Sequence, residues 1–311
     1  VYAQYDEGYW GAHAAYWGDQ SFKAMTYAMK VYPREINALR GELLGAHHLP
    51  QVGILEPWAS IVHTFGTPIG DDVRDVQYEA EAIHRSLLMA HTQVDVVGEW
   101  RLQDDAPQAA PEGASGSAMA EGIPPVLVVP YGLFLSKATQ GWLVNWVREG
   151  GVLLCTGPAG SDDELGKPSC ELLQAAFDTL EISRGDGASC TVAGEHVRRR
   201  WAFSAMEPEM RYEDGEGAVI SALLGAGEII VTGFAYLDAP ALVDRLLAEA
   251  VARVAPPLVT ADNPRVQLYL CSRQEARLLY VINEDHRDTQ PVRLSLANDA
   301  TLTDLRCGVT L

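Results

Sequence analysis

The stretch VLVVPYGLFLSKATQGWLVNWVREGGVLLC, residues 126–155, decides the fold. Val126–Val129 is apolar at every position, so it reads as a strand covered on both faces rather than on one. Leu143, Trp146 and Val147 then fall on one face of a helix spanning about Ser136–Glu149. Gly150-Gly151 ends that helix, and Val152–Cys155 is a second uniformly apolar strand. Strand, helix and strand in this order predict adjacent parallel strands in the middle of a sheet.

The same alternation continues outward. Upstream, Val52–Leu55 follows Pro50 as a buried strand. Val76, Ala80, Ile83, Leu87 and Ala90 step by four and three through a helix over 73–91, and Val94–Val97 is the next strand. Downstream, Leu172, Leu173, Ala176, Phe177 and Leu180 give an amphipathic helix. Val219–Leu224 and Glu228–Thr232 flank Gly225-Ala226-Gly227 as a hairpin, and Ala239–Val254 is helical. The reading is an α/β domain over 50–255 with a mostly parallel sheet. Pro256-Pro257 marks a boundary. Beyond it Val266, Leu268 and Leu270, then Leu278, Tyr280 and Ile282, then Val292, Leu294 and Leu296 alternate with period two, as in a small antiparallel β-domain over 256–311.

Residues 1–49 differ from both. Tyr2, Tyr5, Tyr9, Trp10, Tyr16 and Trp17 follow no clean period. Phe22, Met25, Met29, Ile36, Leu39, Leu43 and Leu44 make an apolar helical stripe over 20–45, with Gly45 as its stop. This block reads as the tail of something larger. The chain opens on Val1 rather than Met, and Cys307–Leu311 stops within a strand-like pattern, so both ends read as cut. Residues 103–122, rich in Ala, Gly, Pro and Ser, read as a surface loop.

The chain has 311 residues, 48% of them hydrophobic and 21% charged, which is ordinary globular composition. Its 23 Lys and Arg against 42 Asp and Glu give a net charge of −19. That balance argues against nucleic-acid or anionic-membrane partners, which need a basic surface. No apolar run is long enough to span a membrane, and no leader is visible. Cys155, Cys170, Cys190, Cys271 and Cys307 are scattered without a CxxC, as expected of reduced thiols in a cytoplasmic protein. No P-loop and no Gly-x-Gly-x-x-Gly after a strand occurs, so no cofactor is expected.

The order of these elements resembles the non-catalytic part of the glycoside hydrolase family 42 β-galactosidases. The segments that carry the likeness are VGILEPWAS (52–60), PVLVVPYGLFLS (125–136) and WVREGGVLLCTGPAGSDDELGKP (146–168), with GAGEIIVTGFAYLD (225–238) and LLYVINEDHRD (278–288). The resemblance implies a catalytic (β/α)8 barrel followed by a class I glutamine amidotransferase-like, flavodoxin-like three-layer sandwich that makes trimer contacts, then a small C-terminal β-domain. Residues 1–49 would then be a helical barrel remnant. The implied partners are two further copies of the chain and, through the parent barrel, a carbohydrate.

A retaining glycosidase needs two carboxylates about 5 Å apart. In the family both glutamates sit on barrel strands, the acid/base in an Asn-Glu pair. Here Asn283-Glu284 is such a pair, but it lies in the β-module. Asp6 and Glu7, near Trp10 and Trp17, lie in the aromatic leader. The expectation is that this chain alone hydrolyses nothing. Cys155-Thr156-Gly157 has the Cys-x-Gly outline of an amidotransferase nucleophile, which needs a later His-x-Glu. After Cys155 the histidines are His196, in GEHVRRR, and His286, so Cys155 reads as a buried small hydrophobe; the alternatives to a scaffold are a self-standing amidotransferase-like hydrolase using Cys155, or a glycosidase whose site another chain completes. His47, His48, His63, His84 and His91 read as solvated or hydrogen-bonded. His84 and His91 are seven apart on one predicted helix face, too far for one metal ion. Arg198–Arg200 reads as a strand edge or as ion-pair partners. The expected self-association face comprises Trp58, Phe65, Phe134, Leu135 and Trp142; the alternative, above all for Trp142, is that these residues simply cover the sheet.

Overall fold

A computed structural model describes residues 37, 39–64, 75–104, 123–185, 187–204, 207–273, 276–283, 292–298, 301–304 and 309–310. The aromatic leader, most of the 20–45 helix, residues 105–122, Phe65, Glu284, His286 and Cys307 lie outside these residues.

The chain divides into two compact units. The larger takes in Leu49–Leu270 and Leu279–Asn298. In chain order its α/β part holds β1 (Val52–Glu56), α1 (Trp58–Thr64), α2 (Asp75–Met89), β2 (Val94–Gly98), α3 (Glu99–Asp104), β3 (Val126–Pro130), α4 (Lys137–Arg148), β4 (Val152–Thr156) and α5 (Glu171–Ala176). Next come β5 (Glu181–Arg184), β6 (Ser189–Val192), β7 (Glu195–Arg198), β8 (Trp201–Ser204), β9 (Met210–Arg211), β10 (Gly217–Leu224), β11 (Gly227–Thr232) and α6 (Pro240–Val254).

The sheet runs β2-β1-β3-β4-β11-β10-β8-β5, with β9 also on β10. The first five strands are parallel and in register: Val52 faces Val94 and Val126, Val126 faces Val152, and Val152 faces Glu228. From β11 onward every pairing is antiparallel. The sheet is therefore mixed, which corrects the mostly parallel expectation. The reason lies in residues 181–211, whose strands Glu181–Arg184, Trp201–Ser204 and Met210–Arg211 are too short to show a period.

Strands β3 and β4 are buried at all five positions and are neighbours, as their composition required. Alternate residues feed two cores. Ile54, Val128 and Leu154 meet Ile83 and Leu87 of α2 and Leu242 and Leu246 of α6 on one face. Leu127, Val129 and Leu153 meet Leu102, Leu143, Trp146 and Leu172 on the other. Each fully buried Leu or Ile contributes about 1.5–3 kcal/mol. Helix α4 starts where the Ser136 hydroxyl accepts the Thr139 N–H at 3.1 Å. It ends at Gly150, whose φ of +118° a side chain would oppose. Gly151 lies under the Trp146 indole, where a Cβ would stand 2.5 Å from the ring. The expected helix through Leu180 stops at Ala176, because Phe177 turns extended and buries its ring.

Strand β12 (Val259–Ala261) and strand β15 (Leu294–Leu296) pair antiparallel, and strands β13 (Val266–Arg273) and β14 (Ala276–Asn283) neighbour each other. Val266, Leu268 and Leu270 are buried as their alternation predicted. In β14 the phase differs from expectation: Leu279 packs on Val259, Val266 and Leu268, while Ile282 is 46% exposed. LLYVI is apolar at consecutive positions, so its pattern does not choose a face. In the smaller unit, helix Arg40–Leu43 is followed by Gly45 at φ +78°, and His47–His48 pair with Cys271 and Ser272. Among the described residues no helix is long and apolar enough to cross a membrane.

Candidate functional site

In an open α/β sheet, ligands bind beyond the carboxyl ends of the strands, where the strand order reverses. Here the order reverses between β1 and β3, since β1 leads to β2 on one side and β3 returns on the other. The segments that meet there are Pro57–Ser60 after β1, Glu99 after β2 and Tyr131–Ser136 after β3.

This crevice holds a carboxylate of the chain itself. Glu99 is 4% exposed. Its Oε1 accepts the Thr139 hydroxyl at 2.9 Å and the Ser136 N–H at 3.2 Å, and its Oε2 accepts the Ala59 N–H at 3.3 Å. Ser60 closes the neighbouring gap: its hydroxyl donates to the Phe134 carbonyl and accepts the Phe134 N–H, both at 2.9 Å. Phe134 in turn stacks on His63 with ring centres 4.4 Å apart, and the His63 Nε2–H donates to the Glu164 carbonyl at 2.8 Å. Three strand-end loops are thus tied together by hydrogen bonds that a bound anion would otherwise receive.

A second polar cluster sits beyond β4 and β11. Arg200 Nε and Nη2 donate to the Asp238 carboxylate at 2.6 and 3.3 Å. The Arg200 guanidinium lies 5.4 Å from the Tyr131 ring centre, and Trp201 packs against the same ring. Tyr131 has φ +47°, a strained value for a ring-bearing residue, held by its N–H to Thr156 Oγ1 at 3.0 Å. The Tyr212 hydroxyl lies 2.8 Å from the Trp201 carbonyl and 2.9 Å from that of Gly233, and burial pushes its acidity far down. Arg199 pairs with Asp214. The basic run is thus read correctly as ion-pair partners at Arg199 and Arg200, while Arg198 is exposed.

Cys155 stands fourth in β4, between Val129 and Val231, and is 0% exposed. Burial drives its thiol far above the usual cysteine range, so the thiolate that a nucleophile requires is disfavoured. Fourteen residues of loop separate β4 from α5, in place of the sharp strand-to-helix turn of an amidotransferase nucleophile. His196 lies exposed on β7. His91 is not on the helix with His84 but in the turn after it, at φ +58° and buried. Its Nε2 lies 3.1 Å from the Asn263 carbonyl. Partial burial lowers the pKa of His84. Among the described residues no group of three or more His, Cys, Asp or Glu is placed to hold a metal ion.

The residues expected on an association face separate. Trp58 is 60% exposed and Phe134 is half-buried. Leu135 is 0% and Trp142 7% exposed, so both cover the sheet rather than face outward. Trp142 lies on the inward stripe of α4, its ring near-parallel to that of Trp146. Sequence reading missed Val62, Trp100 and Leu165, all more than half exposed. It also missed Glu99, which opens α3 directly after β2 and carries no local signal, since Ala59, Ser136 and Thr139 lie far from it in the chain. An open groove of about 620 Å³ runs along Leu173, Phe177, Leu180 and Ile182.

The sequence matches no protein-family model and no curated protein. Its fold matches solved structures. One is a catalytic mutant of Gan42B, a GH42 β-galactosidase from G. stearothermophilus: TM-score 0.67, 17% identity, 89% of this chain and 40% of that one. Another is the β-galactosidase from Bacillus circulans sp. alkalophilus: TM-score 0.65, 14% identity, 89% and 41%. A third is the polyextremophilic β-galactosidase of the Antarctic haloarchaeon Halorubrum lacusprofundi: TM-score 0.53, 21% identity, 74% and 35%. The chain therefore has a fold found within GH42 β-galactosidases and spans about two fifths of their length.

Proposed function

We propose that this chain is the non-catalytic assembly and scaffold portion of a β-galactosidase-like glycoside hydrolase, acting as a trimer. The observation that carries the reading is the asymmetric fold match: 89% of this chain lies on 40% of a GH42 β-galactosidase. In this reading residues 50–255 are the flavodoxin- and amidotransferase-like trimerisation domain. Residues 1–49 end a barrel, and 256–311 are the C-terminal β-domain. The strand order β2-β1-β3-β4-β11 supports the flavodoxin-like assignment.

Two features of the α/β unit support a scaffold over an enzyme. Cys155 is sealed in the core, and the crevice at the strand reversal is filled by Glu99. Any carbohydrate would be met by the parent barrel, and the chain works in the cytoplasm without a cofactor. Because the chain carries a charge of −19, copies repel at long range and must be held by apolar contact at short range. Trp58 and Val62, four residues apart and both exposed on α1, suit such a contact. The test compares aryl-galactoside and glutamine turnover by this chain with turnover by Cys155→Ala and Glu284→Gln variants. No turnover above these controls is expected; turnover above them overturns the scaffold reading.

A further inference from the structure

We propose that Glu99 is an internal ligand: its side chain occupies a carboxylate-binding site built by Ala59, Ser136 and Thr139, and a free carboxylate takes its place when it is shortened. The site is built rather than incidental. Its three donors come from two separate segments, α1 and the start of α4, and lie 3.3, 3.2 and 2.9 Å from the two oxygens. Thr139 is 0% exposed, so its hydroxyl is committed inside the protein. The same hydroxyl lies 2.8 Å from Ser136 Oγ, which in turn accepts the Thr139 N–H at 3.1 Å. Ser136, Thr139 and the carboxylate thus form one connected network.

The chemistry follows from the donor set. Two backbone N–H groups and a hydroxyl converge on a pair of oxygens with about one carboxylate's spacing, and a carboxylate accepts such bonds without a proton of its own. Thr139 is buried and Ala59 and Ser136 are half-buried, so water only partly replaces the carboxylate at these donors, and losing it is costly. The native chain meets that demand from within, so the crevice takes no outside ligand, and partners must bind elsewhere on the unit. This inference does not rest on the proposed assembly role.

Glu99→Ala removes a –CH2–COO⁻ group, which is acetate less one hydrogen. The expected result is a lowered Tm that rises saturably with sodium acetate and not with sodium chloride at equal ionic strength. Wild type and Glu99→Gln, in which the site stays filled, should show no acetate-specific rise. Pivalate, which carries three extra methyl groups, should not substitute for acetate. An alanine variant indifferent to acetate, or an acetate response of equal size in all three proteins, overturns the proposal. If Glu99→Ala does not stay folded, its refolding yield in acetate against chloride reads the same question. A higher yield in acetate supports the site, and equal yields overturn it.

Discussion

Replacing Val128 by Asp tests the α/β core at its centre. Val128 is 0% exposed, lies opposite Leu154 of β4, and packs in the core that α2 and α6 cover. The side chains that surround it in that cluster are chiefly aliphatic. Full burial raises a carboxyl pKa by up to about 3–5 units, and each unit is worth about 1.4 kcal/mol. The cost above both pKa values is then roughly 4–7 kcal/mol, a large part of a total stability of about 5–15 kcal/mol. The sign follows from proton binding: the folded variant holds a proton that the unfolded chain releases near pH 4, so stability falls as pH rises through the raised folded value. Urea unfolding at pH 5.5 and pH 8 keeps this acidic chain clear of zero net charge. The Asp variant should lose roughly 2–3 kcal/mol more at pH 8 than at pH 5.5. Val128→Asn, which cannot ionise, should lose about 1–3 kcal/mol at both. An Asp variant within about 1 kcal/mol of wild type at pH 8, or one that tracks the Asn variant at both pH values, refutes a strand buried on both faces.

The Arg200–Asp238 pair has side chains only 10% and 11% exposed, so Arg200→Met should cost about 3–5 kcal/mol by stranding a buried carboxylate. Adding Asp238→Asn should recover part of that loss in a double-mutant cycle, and strict additivity would show that the pair does not interact. Iodoacetamide should label Cys155 only as fast as the whole unit opens, since its thiol is buried and its acidity suppressed. Mass spectrometry showing Cys155 labelled as fast as the half-buried Cys170, Cys190 and Cys271 would contradict that placement.

The parallel half of the unit was legible because a strand buried on both faces must be apolar throughout, as VLVVP and VLLCT are. The helices with a long stripe, 75–89, 137–148 and 240–254, were legible for the matching reason that one face carries the pattern. The antiparallel half was not. Glu181–Arg184 has one apolar residue in four, and its place is fixed by pairing with Trp201–Ser204, twenty residues away. Short helices such as Trp58–Thr64 and Glu99–Asp104 offer too few turns for a period to repeat. The site was harder still. Glu99 is defined by donors at 59, 136 and 139, a convergence set by sheet topology and not by spacing. Leu135, just ahead of α4, and Trp142, midway along it, looked like surface candidates because the inward or outward turn of an apolar side chain is decided by packing. Cys155 needed no topology: an apolar strand predicts a buried thiol.

The most direct test of the assembly role is sedimentation velocity of the chain at micromolar concentration in moderate salt. The expected result is a boundary at three times the chain mass, persisting as salt rises because apolar contact holds it, and dispersing in a Trp58→Ser, Val62→Ser variant. A single boundary at the mass of one chain, unchanged at high protein concentration, would contradict it.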